Sequence, residues 1–495
     1  MPGIIAAVLV ALAAPPAHAD PPAPAFEPAA CPALPVKMPA LDGARCGFLV
    51  VPENRSANNG KTIRLLVAIV PAQSPTPAPD PVVHLTGGPG GIAILEAQEL
   101  VDAGFNADRD LILVGQRGTK YSEPALTCPE IDRYLANSLA LPLDSRANER
   151  HHVRATAACR ARLTREGADL TAYNTTENAA DVADLRKALG ISEWNVYGVS
   201  YGTDLALTLL RDHPEGIRTV TIDSVVPPSD VKLSAFLPNA SHGFHALFAA
   251  CAQQRSCRKR HPHLEAMFTG LVRRLEAHPV TVRVRPAAGG DPVPVTLDGG
   301  ALVNWLVGSA LVTPTLRHAP AMIGALAAGD AHPIAAARLA FVTPPGFVGY
   351  GLVYGVTCGE WVPYEPASAI APAGRRAFPA YPRSVLAQPP QFAYMTQDCR
   401  AWNVPPQPAT QRAVTTSTTP TLILEGGFDS ITPLPWGQLA AQTLASSTVT
   451  TYPGIGHFVI PESPCAHRVF ASFLANPSAP DTGCVAGLRP PRFRG

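Results

Sequence analysis

The sequence Gly198-Val199-Ser200-Tyr201-Gly202 fits the pattern G-x-S-x-G. An apolar, β-like run at 194–197 precedes it, and a run with helical spacing at 205–211 follows it. A chain that turns this sharply from strand to helix lifts the serine hydroxyl clear of the sheet, and the two glycines keep Cβ atoms out of the crowded turn. The stretch therefore predicts that Ser200 is an exposed nucleophile at the end of a strand.

Apolar runs that are typical of strands alternate with helical segments on both sides of this turn. The predicted strands are 47–52, 62–70, 81–86, 110–114, 194–197, 219–222, 421–424 and 448–452, and the predicted helices are 178–189, 205–211 and 465–474. Strands that alternate with helices imply a mainly parallel sheet.

The alternation stops over a stretch of ~180 residues, which is longer than a plain connecting loop. This stretch, 227–406, is helix-rich and rich in proline. We therefore expect a core in two parts, 20–226 and 407–495, with 227–406 inserted between them as a lid.

A serine hydroxyl is a weak nucleophile that needs a base, and the base needs a group to orient it. Asp429 and His457 both follow predicted strands, at the positions where loops at the top of a sheet begin. The chain order Ser, acid, His is that of the α/β-hydrolase fold. We therefore predict that fold, with Ser200, Asp429 and His457 as the catalytic triad. Asp223, at another strand end, is the alternative acid, although we expect it to cap the next element or to bond a loop backbone.

The oxyanion formed during acyl transfer needs two backbone N–H donors aimed at one position. One donor is expected from Tyr201, the residue after the nucleophile, and the other from Gly88 in the glycine-rich loop 87–91. A phosphate-binding role for that loop is disfavoured, because no Lys-Ser/Thr pair follows it.

Four motifs together resemble the tripeptidyl-aminopeptidase-like branch of the prolyl-aminopeptidase family of α/β-hydrolases. They are Gly87-Gly88-Pro89-Gly90-Gly91, Gln116-Arg117-Gly118-Thr119, the stretch around Ser200, and Gly426-Gly427-Phe428-Asp429-Ser430-Ile431-Thr432-Pro433. The resemblance implies an exported exopeptidase that removes short peptides, or a proline, from an N-terminus, with its triad at Ser200, Asp429 and His457. The stretch 115–122 departs from the family pattern, and we expect Arg117 to hold loops together beneath the site.

The resemblance also suggests where a substrate ammonium is held. Relatives often have a carboxylate two residues after a cysteine of the lid, and Cys358-Gly359-Glu360 fits with Glu in place of Asp. Glu360 is therefore the first candidate for substrate binding and Glu177 the second. The alternative for both is an ordinary solvated or arginine-paired carboxylate.

Composition narrows the classes of partner. The chain has 39 basic and 38 acidic side chains and no long run of one sign, which argues against nucleic acid as a partner. The serine-hydrolase hypothesis predicts no metal ion and no organic cofactor, and the cysteines lack the spacing of a zinc site. The ten cysteines favour disulfides, and pairing neighbours in sequence would give 31–46, 128–159, 251–257, 358–399 and 465–484, although the sequence alone does not fix the connectivity.

The N-terminus has the pattern of a signal peptide. The apolar run 4–14 is too short to span a bilayer, and Ala17-His18-Ala19 predicts cleavage after Ala19. We therefore expect residues 1–19 to be removed from a secreted or periplasmic protein without stable membrane insertion.

Two other functions fit parts of the pattern. A carboxylesterase or lipase-like enzyme would use the same triad, because the fold does not fix the leaving group of the substrate. Acidic residues facing Ser200 would favour a peptide substrate, and a wholly apolar pocket would favour an ester. A catalytically silent binding protein is disfavoured by the complete set of Ser, Asp and His in order. The sequence does not indicate an oligomeric state.

Overall fold

The computed structural model describes residues 24–287 and 289–494, so the predicted signal peptide at 1–19 lies outside the described residues. Its strands are β1 Ala25–Ala29, β2 Arg45–Pro52, β3 Thr62–Val70, β4 Val82–Leu85, β5 Leu111–Val114, β6 Trp194–Val199, β7 Ile217–Asp223, β8 Val280–Val284, β9 Val293–Leu297, β10 Thr421–Gly426 and β11 Ser447–Tyr452. Nine of them form one sheet in the order β1-β2-β3-β5-β4-β6-β7-β10-β11, and β8 and β9 form a separate hairpin.

The α-helices are α1 Ala97–Asp102, α2 Pro129–Ser138, α3 Arg146–Arg165, α4 Thr175–Ala188, α5 Tyr201–Asp212, α6 Phe236–Gln253, α7 Arg255–Arg260, α8 Leu264–Ala277, α9 Gly299–Gly308, α10 Thr313–Leu316, α11 Ala319–Ala327, α12 His332–Ala340, α13 Tyr350–Val356, α14 Ile370–Ala377, α15 Arg383–Leu386, α16 Met395–Trp402, α17 Leu434–Ala441, α18 Val459–Glu462 and α19 Pro464–Ala475. A π-helical turn, Thr357–Trp361, follows α13. Within the described ranges, no helix is both long enough and apolar enough to span a membrane.

Strand direction divides the large sheet into two parts. The pairs β1–β2, β2–β3 and β3–β5 are antiparallel, whereas β5–β4, β4–β6, β6–β7, β7–β10 and β10–β11 are parallel. The parallel part brings the carboxyl ends of β4, β6, β7, β10 and β11 to one edge, where binding sites form in α/β folds. This topology confirms the predicted α/β-hydrolase fold.

Both faces of the central strands β4, β5, β6 and β10 are buried, which explains why these strands read as continuous apolar runs. On β6, Val196 packs with α4 and α5 on one face, and Tyr197 packs with α1 and α19 on the other. Successive side chains of a strand point to opposite faces, so each of these short strands contributes to both cores.

The segment between β7 and β10 contains α6 to α16 and the β8–β9 hairpin, and it has an apolar core of its own around Phe244, Phe268 and Trp305. Helix α3, which precedes the nucleophile in the sequence, also joins this segment. Its Thr156 donates to Asp398 of α16, and its Arg160 donates to the carbonyl of Trp402. The body above the sheet is therefore built from more of the chain than the predicted lid 227–406.

All five disulfides that pair neighbouring cysteines are present: Cys31–Cys46, Cys128–Cys159, Cys251–Cys257, Cys358–Cys399 and Cys465–Cys484. Disulfides of this kind form and persist in oxidising compartments outside the cytosol. The cysteine pairing therefore indicates an extracellular or envelope location.

Candidate active site

Ser200 lies at a sharp turn between β6 and α5. Its backbone has φ 55° and ψ −126°, a conformation that costs of order 1–3 kcal/mol in a residue other than glycine. The Ser200 N–H donates to the carbonyl of Asp223 on β7 at 3.0 Å, which helps to hold the turn against the sheet. A Cβ on Gly202 would collide with the backbone carbonyl of Leu85 on β4, so the close approach of α5 to the sheet requires glycine there.

His457 follows β11, and its imidazole is held by the loop that follows β10. Nδ1 of His457 lies 2.8 Å from Oδ2 of Asp429. The hydroxyl of Thr432 also donates to Oδ2, at 2.9 Å, and the N–H groups of Ile431 and Thr432 donate to Oδ1. Because Asp429 binds Nδ1, the other ring nitrogen of His457 remains free to exchange a proton with a substrate or a nucleophile.

The surroundings of this pair shift both pKa values. Burial would lower the pKa of His457, but the charge of Asp429 and its hydrogen bond outweigh burial, so the pKa is raised above its ordinary value. Burial would raise the pKa of Asp429, but His457 and the two backbone N–H donors outweigh it and lower the pKa. The carboxylate is therefore charged wherever the imidazole is poised to act as a base.

Asp223, the alternative acid, holds the loop that carries His457. Its carboxylate accepts the N–H groups of Val459 and Ile460 at 2.8–3.0 Å and the hydroxyl of Tyr197 at 3.1 Å. Burial raises the pKa of Asp223 to about 6, while these N–H donors oppose the shift. The bonded N–H groups belong to the first turn of α18, so Asp223 binds the backbone just after His457, more than 230 residues further along the chain.

A cavity of about 190 Å³ adjoins these residues. Ser200, His457, Gly88 and Tyr201 all line it. The rest of its wall is mostly apolar and comes from the segments above the sheet and the loop after β10: Val226, Val231, Phe236, Leu311, Trp361, Gln391, Phe392, Ile431, Thr432 and Trp436. The structure thus brings four sequence-predicted residues to one cavity and places Asp429 behind His457.

The glycine-rich loop lies directly against the nucleophile. A Cβ on Gly87 would collide with Cβ of Ser200, and Gly88 has φ +119°, which side chains rarely allow. The carbonyl of Thr86 accepts Nε2 of Gln116 at 2.8 Å, which anchors the start of the loop. Tyr201 begins α5, so its N–H is one of the free donors at a helix start.

The two carboxylates predicted to hold a substrate ammonium do not line this cavity. Glu360 lies behind Tyr201: its carboxylate accepts the N–H of Thr175 at 2.8 Å and the Thr175 hydroxyl at 2.7 Å, and that hydroxyl contacts the Tyr201 hydroxyl. Glu360 is fully buried, and burial beside Asp204 raises its pKa. The carboxylate two residues after Cys358 is therefore already hydrogen-bonded to the first residue of α4.

Glu177 is engaged elsewhere. Its Oε2 lies 2.6 Å from Nη1 of Arg55. Glu177 is therefore paired with an arginine, which is the alternative to substrate binding that we expected for it. Arg117 is buried beside it, donates to Asp181, and also donates to the carbonyls of Glu53 and Ala172. Arg117 thereby joins the loop after β5 to α4 and to the loop after β2, which is the role expected for it.

Sequence reasoning missed several residues at this site. Thr432 contacts both Asp429 and His457, and Trp361 and Phe392 form part of the cavity wall. Thr432 lies in the Asp429 motif but has no distinctive pattern. The two aromatic residues lie in an irregular segment, so only their spatial position identifies them.

Parts of the sequence are similar to known proteins and to one family model. Residues 387–486 match the family model described as TAP-like protein. The tripeptidyl aminopeptidase of Streptomyces coelicolor is 28% identical over 200 residues, which cover 38% of this chain and 36% of that protein. The alignment thus spans little more than a third of that relative.

Another relative aligns over nearly the whole chain. The serine protease Hip1 of Mycobacterium tuberculosis is 26% identical over 478 residues, covering 90% of this chain and 88% of that protein. A proline iminopeptidase of Xylella fastidiosa is 48% identical over 48 residues, which are 10% of this chain and 15% of that protein. With the topology described above, these similarities identify the chain as a protein of the α/β-hydrolase fold that carries a TAP-like region at residues 387–486.

Proposed function

We propose that the chain is an exported serine exopeptidase that releases short peptides or proline from peptide N-termini. The observation that carries the proposal is the cavity itself, a chamber of about 190 Å³ whose wall includes Ser200, His457, Trp361 and Phe392. A chamber this small suits the end of a peptide better than an internal segment, which would need space to enter and to leave. Export agrees with the five disulfides and with the signal-peptide pattern at 1–19.

The chemistry follows from the proposed roles of the site residues. Oγ of Ser200 attacks the scissile carbonyl carbon and gives its proton to Nε2 of His457, while Asp429 stabilises the imidazolium. The N–H groups of Gly88 and Tyr201 bind the oxyanion of the tetrahedral intermediate. The C–N bond then breaks as His457 protonates the leaving amine. Water, deprotonated by His457, hydrolyses the resulting ester on Ser200 and releases the N-terminal fragment.

The names of the relatives support a peptide substrate. Proteins called tripeptidyl aminopeptidase, serine protease and proline iminopeptidase share sequence with this chain. The apolar wall, with Val226, Phe236 and Trp436, suits proline and other apolar side chains next to the scissile bond.

A carboxylesterase is the second candidate, and one observation favours it. Among the described residues that line the catalytic cavity, none is a carboxylate, which was the feature expected to favour esters. The same triad would cleave an ester by the same steps, with an alcohol in place of the amine as leaving group.

A matched panel of substrates tests both functions. We would measure kcat/KM for Ala-Pro-Ala 4-nitroanilide, its N-acetylated form, proline 4-nitroanilide and 4-nitrophenyl butyrate, with Ser200→Ala as the control. The exopeptidase predicts that the free peptide anilides are cleaved and that N-acetylation lowers kcat/KM at least tenfold. Equal cleavage of free and blocked peptides, or turnover of the ester alone, would reject it.

Labelling with a fluorophosphonate tests the nucleophile separately. The wild-type protein should incorporate one probe per chain, and Ser200→Ala should incorporate none. Labelling that persists in folded Ser200→Ala would assign the nucleophile to another residue.

A further inference from the structure

A second cavity, of about 390 Å³, adjoins the catalytic one. Leu311, Gln391 and Phe392 belong to the walls of both, so the two cavities meet at these side chains. The catalytic cavity alone is smaller than the pockets of about 300–1,000 Å³ that usually hold small ligands, whereas the second cavity falls within that range. A substrate that extended from Ser200 past Gln391 and Phe392 would reach this larger space.

Asp398 is the one carboxylate among the described residues that line this second cavity. It lies on α16, its side chain is 1% exposed, and its partners come from α3. Oδ1 accepts the Thr156 hydroxyl at 3.2 Å, and Nδ1 of His152 lies 3.0 Å from Oδ1 and 2.8 Å from Oδ2. A carboxylate offers about four acceptor positions, so these contacts leave room for another donor.

The charge of Asp398 has no permanent counter-ion. Within the described parts of the chain, no Lys or Arg nitrogen lies within 4 Å of its carboxylate, and His152 is its sole charged or chargeable partner. A buried carboxylate is costly unless a cation or several hydrogen bonds compensate it. An ammonium group that entered the cavity would supply the missing charge.

Arg338 also lines the second cavity, but its surroundings differ from those of Asp398. Its Nη1 donates to the carbonyl of Thr296, and the nearby carboxylate of Asp298 offsets its charge. Among the described residues that line this cavity, Asp398 is therefore the charged residue that lacks a permanently charged partner of opposite sign.

We propose that Asp398 binds the N-terminal ammonium of the peptide substrate in the second cavity, so that the released fragment has two or more residues. This inference rests on the proposed exopeptidase function and replaces Glu360 with Asp398 as the group that recognises the free N-terminus. Asp398 does not line the catalytic cavity, and one residue spans at most about 3.6 Å. A substrate with its carbonyl at Ser200 and its ammonium at Asp398 has to extend past the wall residues that the two cavities share, which favours a dipeptide or tripeptide over a single residue.

The first test compares free and N-acetylated Ala-Pro-Ala 4-nitroanilide in Asp398→Asn. The amide keeps the shape of the side chain and loses its charge. The ratio of kcat/KM for the free over the blocked peptide should fall about tenfold or more, mainly through KM, because a charge-assisted hydrogen bond is lost. Glu360→Gln is the matched control: it removes another buried carboxylate of the same segment, and the ratio should stay at the wild-type value.

The outcomes separate the two proposals. If the wild-type enzyme cleaves free and blocked peptides equally, the exopeptidase function itself fails. If the wild-type enzyme prefers the free peptide and Asp398→Asn keeps that preference within twofold, only the role of Asp398 fails. If Glu360→Gln loses the preference for the free peptide instead, the ammonium is bound by Glu360 and not by Asp398. Fluorophosphonate labelling gives the fraction of correctly folded enzyme in each variant.

A second variant tests the cavity without touching the carboxylate. Gly308 ends α9 at the cavity wall with φ −62°, and a Cβ there would have only an ordinary contact with Phe341. Gly308→Leu should therefore fill part of the second cavity without backbone strain. The ratio of kcat/KM for Ala-Pro-Ala 4-nitroanilide over 4-nitrophenyl acetate should fall at least fivefold in Gly308→Leu and stay near the wild-type value in Gly308→Ala. An unchanged ratio in Gly308→Leu would exclude this cavity from the path of the substrate.

Discussion

Nδ1 of His457 lies 2.8 Å from Oδ2 of Asp429, and both side chains are buried. The two residues are 28 positions apart, on loops that follow the adjacent parallel strands β10 and β11. The parallel pairing brings these loops to the same edge, and the Thr432 hydroxyl lies within hydrogen-bond distance of both side chains. This contact orients the imidazole, and two of our predictions depend on it.

Asp429→Asn should leave the fold intact and reduce kcat by about 10³–10⁴-fold, with a small change in KM. The amide fills the same space, but it no longer stabilises the imidazolium and it favours the wrong tautomer of His457. Steady-state kinetics on the preferred substrate of the panel measures the effect, and thermal unfolding reports on the fold. A loss below tenfold in a folded variant would assign the acid to another residue, with Asp223 the first to examine.

The pH dependence of kcat/KM should show an acid limb above pH 6.5. The pKa of His457 is raised above that ordinary value, and His457 acts as a base only when deprotonated, so activity rises as pH increases through this raised pKa. In Asp429→Asn the limb of the residual activity should move to lower pH, because the carboxylate that raises the pKa is gone. A limb that stays at the same pH in this variant would mean that another group controls it.

Asp223 should act on the reaction through the position of His457. In Asp223→Asn the side-chain NH₂ is a donor and cannot accept the N–H groups of Val459 and Ile460, so one acceptor is lost and the loop after His457 shifts. A displacement of about 1 Å near a reacting group costs of order 10²-fold in rate, and we expect kcat to fall between about 10- and 100-fold. The effect is measured as kcat on a substrate whose KM is the same for the variant and for the wild-type enzyme.

Tyr197→Phe is the control for that variant. Its hydroxyl donates to the same carboxylate, and among the described residues no hydrogen bond joins this hydroxyl to the loop that carries His457. This control should keep kcat within about threefold of the wild-type value. Equal losses in the two variants would show that the effect reflects general disturbance of the sheet.

The parallel part of the sheet could be predicted from sequence because its strands are short apolar runs that end in loops of distinctive composition. The run 62–70 coincides with β3, and the runs before Ser200, Asp429 and His457 coincide with β6, β10 and β11 to within two residues at either end. Local sequence determines these features: a buried strand needs consecutive apolar residues, and the turn at Ser200 needs glycine on both sides. The edge strand β1 lacks both signals and was not predicted.

The binding side of the site could not be predicted in the same way. In the sequence, Glu360 is a candidate for substrate binding because it lies two residues after Cys358. That spacing does not show which way its carboxylate points. In the structure it bonds to Thr175, whereas Asp398 reaches a cavity through contacts with α3, more than 200 residues earlier. Contacts across such separations depend on how the helices pack above the sheet, and no local pattern encodes them.

The Cys358–Cys399 disulfide joins the turn that carries Trp361 to α16, and its removal gives the last prediction. It closes a loop of 41 residues, and chain-entropy arguments assign such a loop about 4 kcal/mol of stabilisation, against about 2 kcal/mol for the 6-residue separation of Cys251–Cys257. Replacing both cysteines of each pair by serine should therefore lower the free energy of unfolding about twice as much for 358/399 as for 251/257, measured by denaturant titration without reductant. Because Trp361 and Asp398 lie on the two joined segments, the 358/399 variant should also lose preference for free over blocked peptides, whereas the 251/257 variant should keep it. Equal destabilisation with preference retained in both variants would show that packing alone, without this crosslink, holds the cavity walls in place.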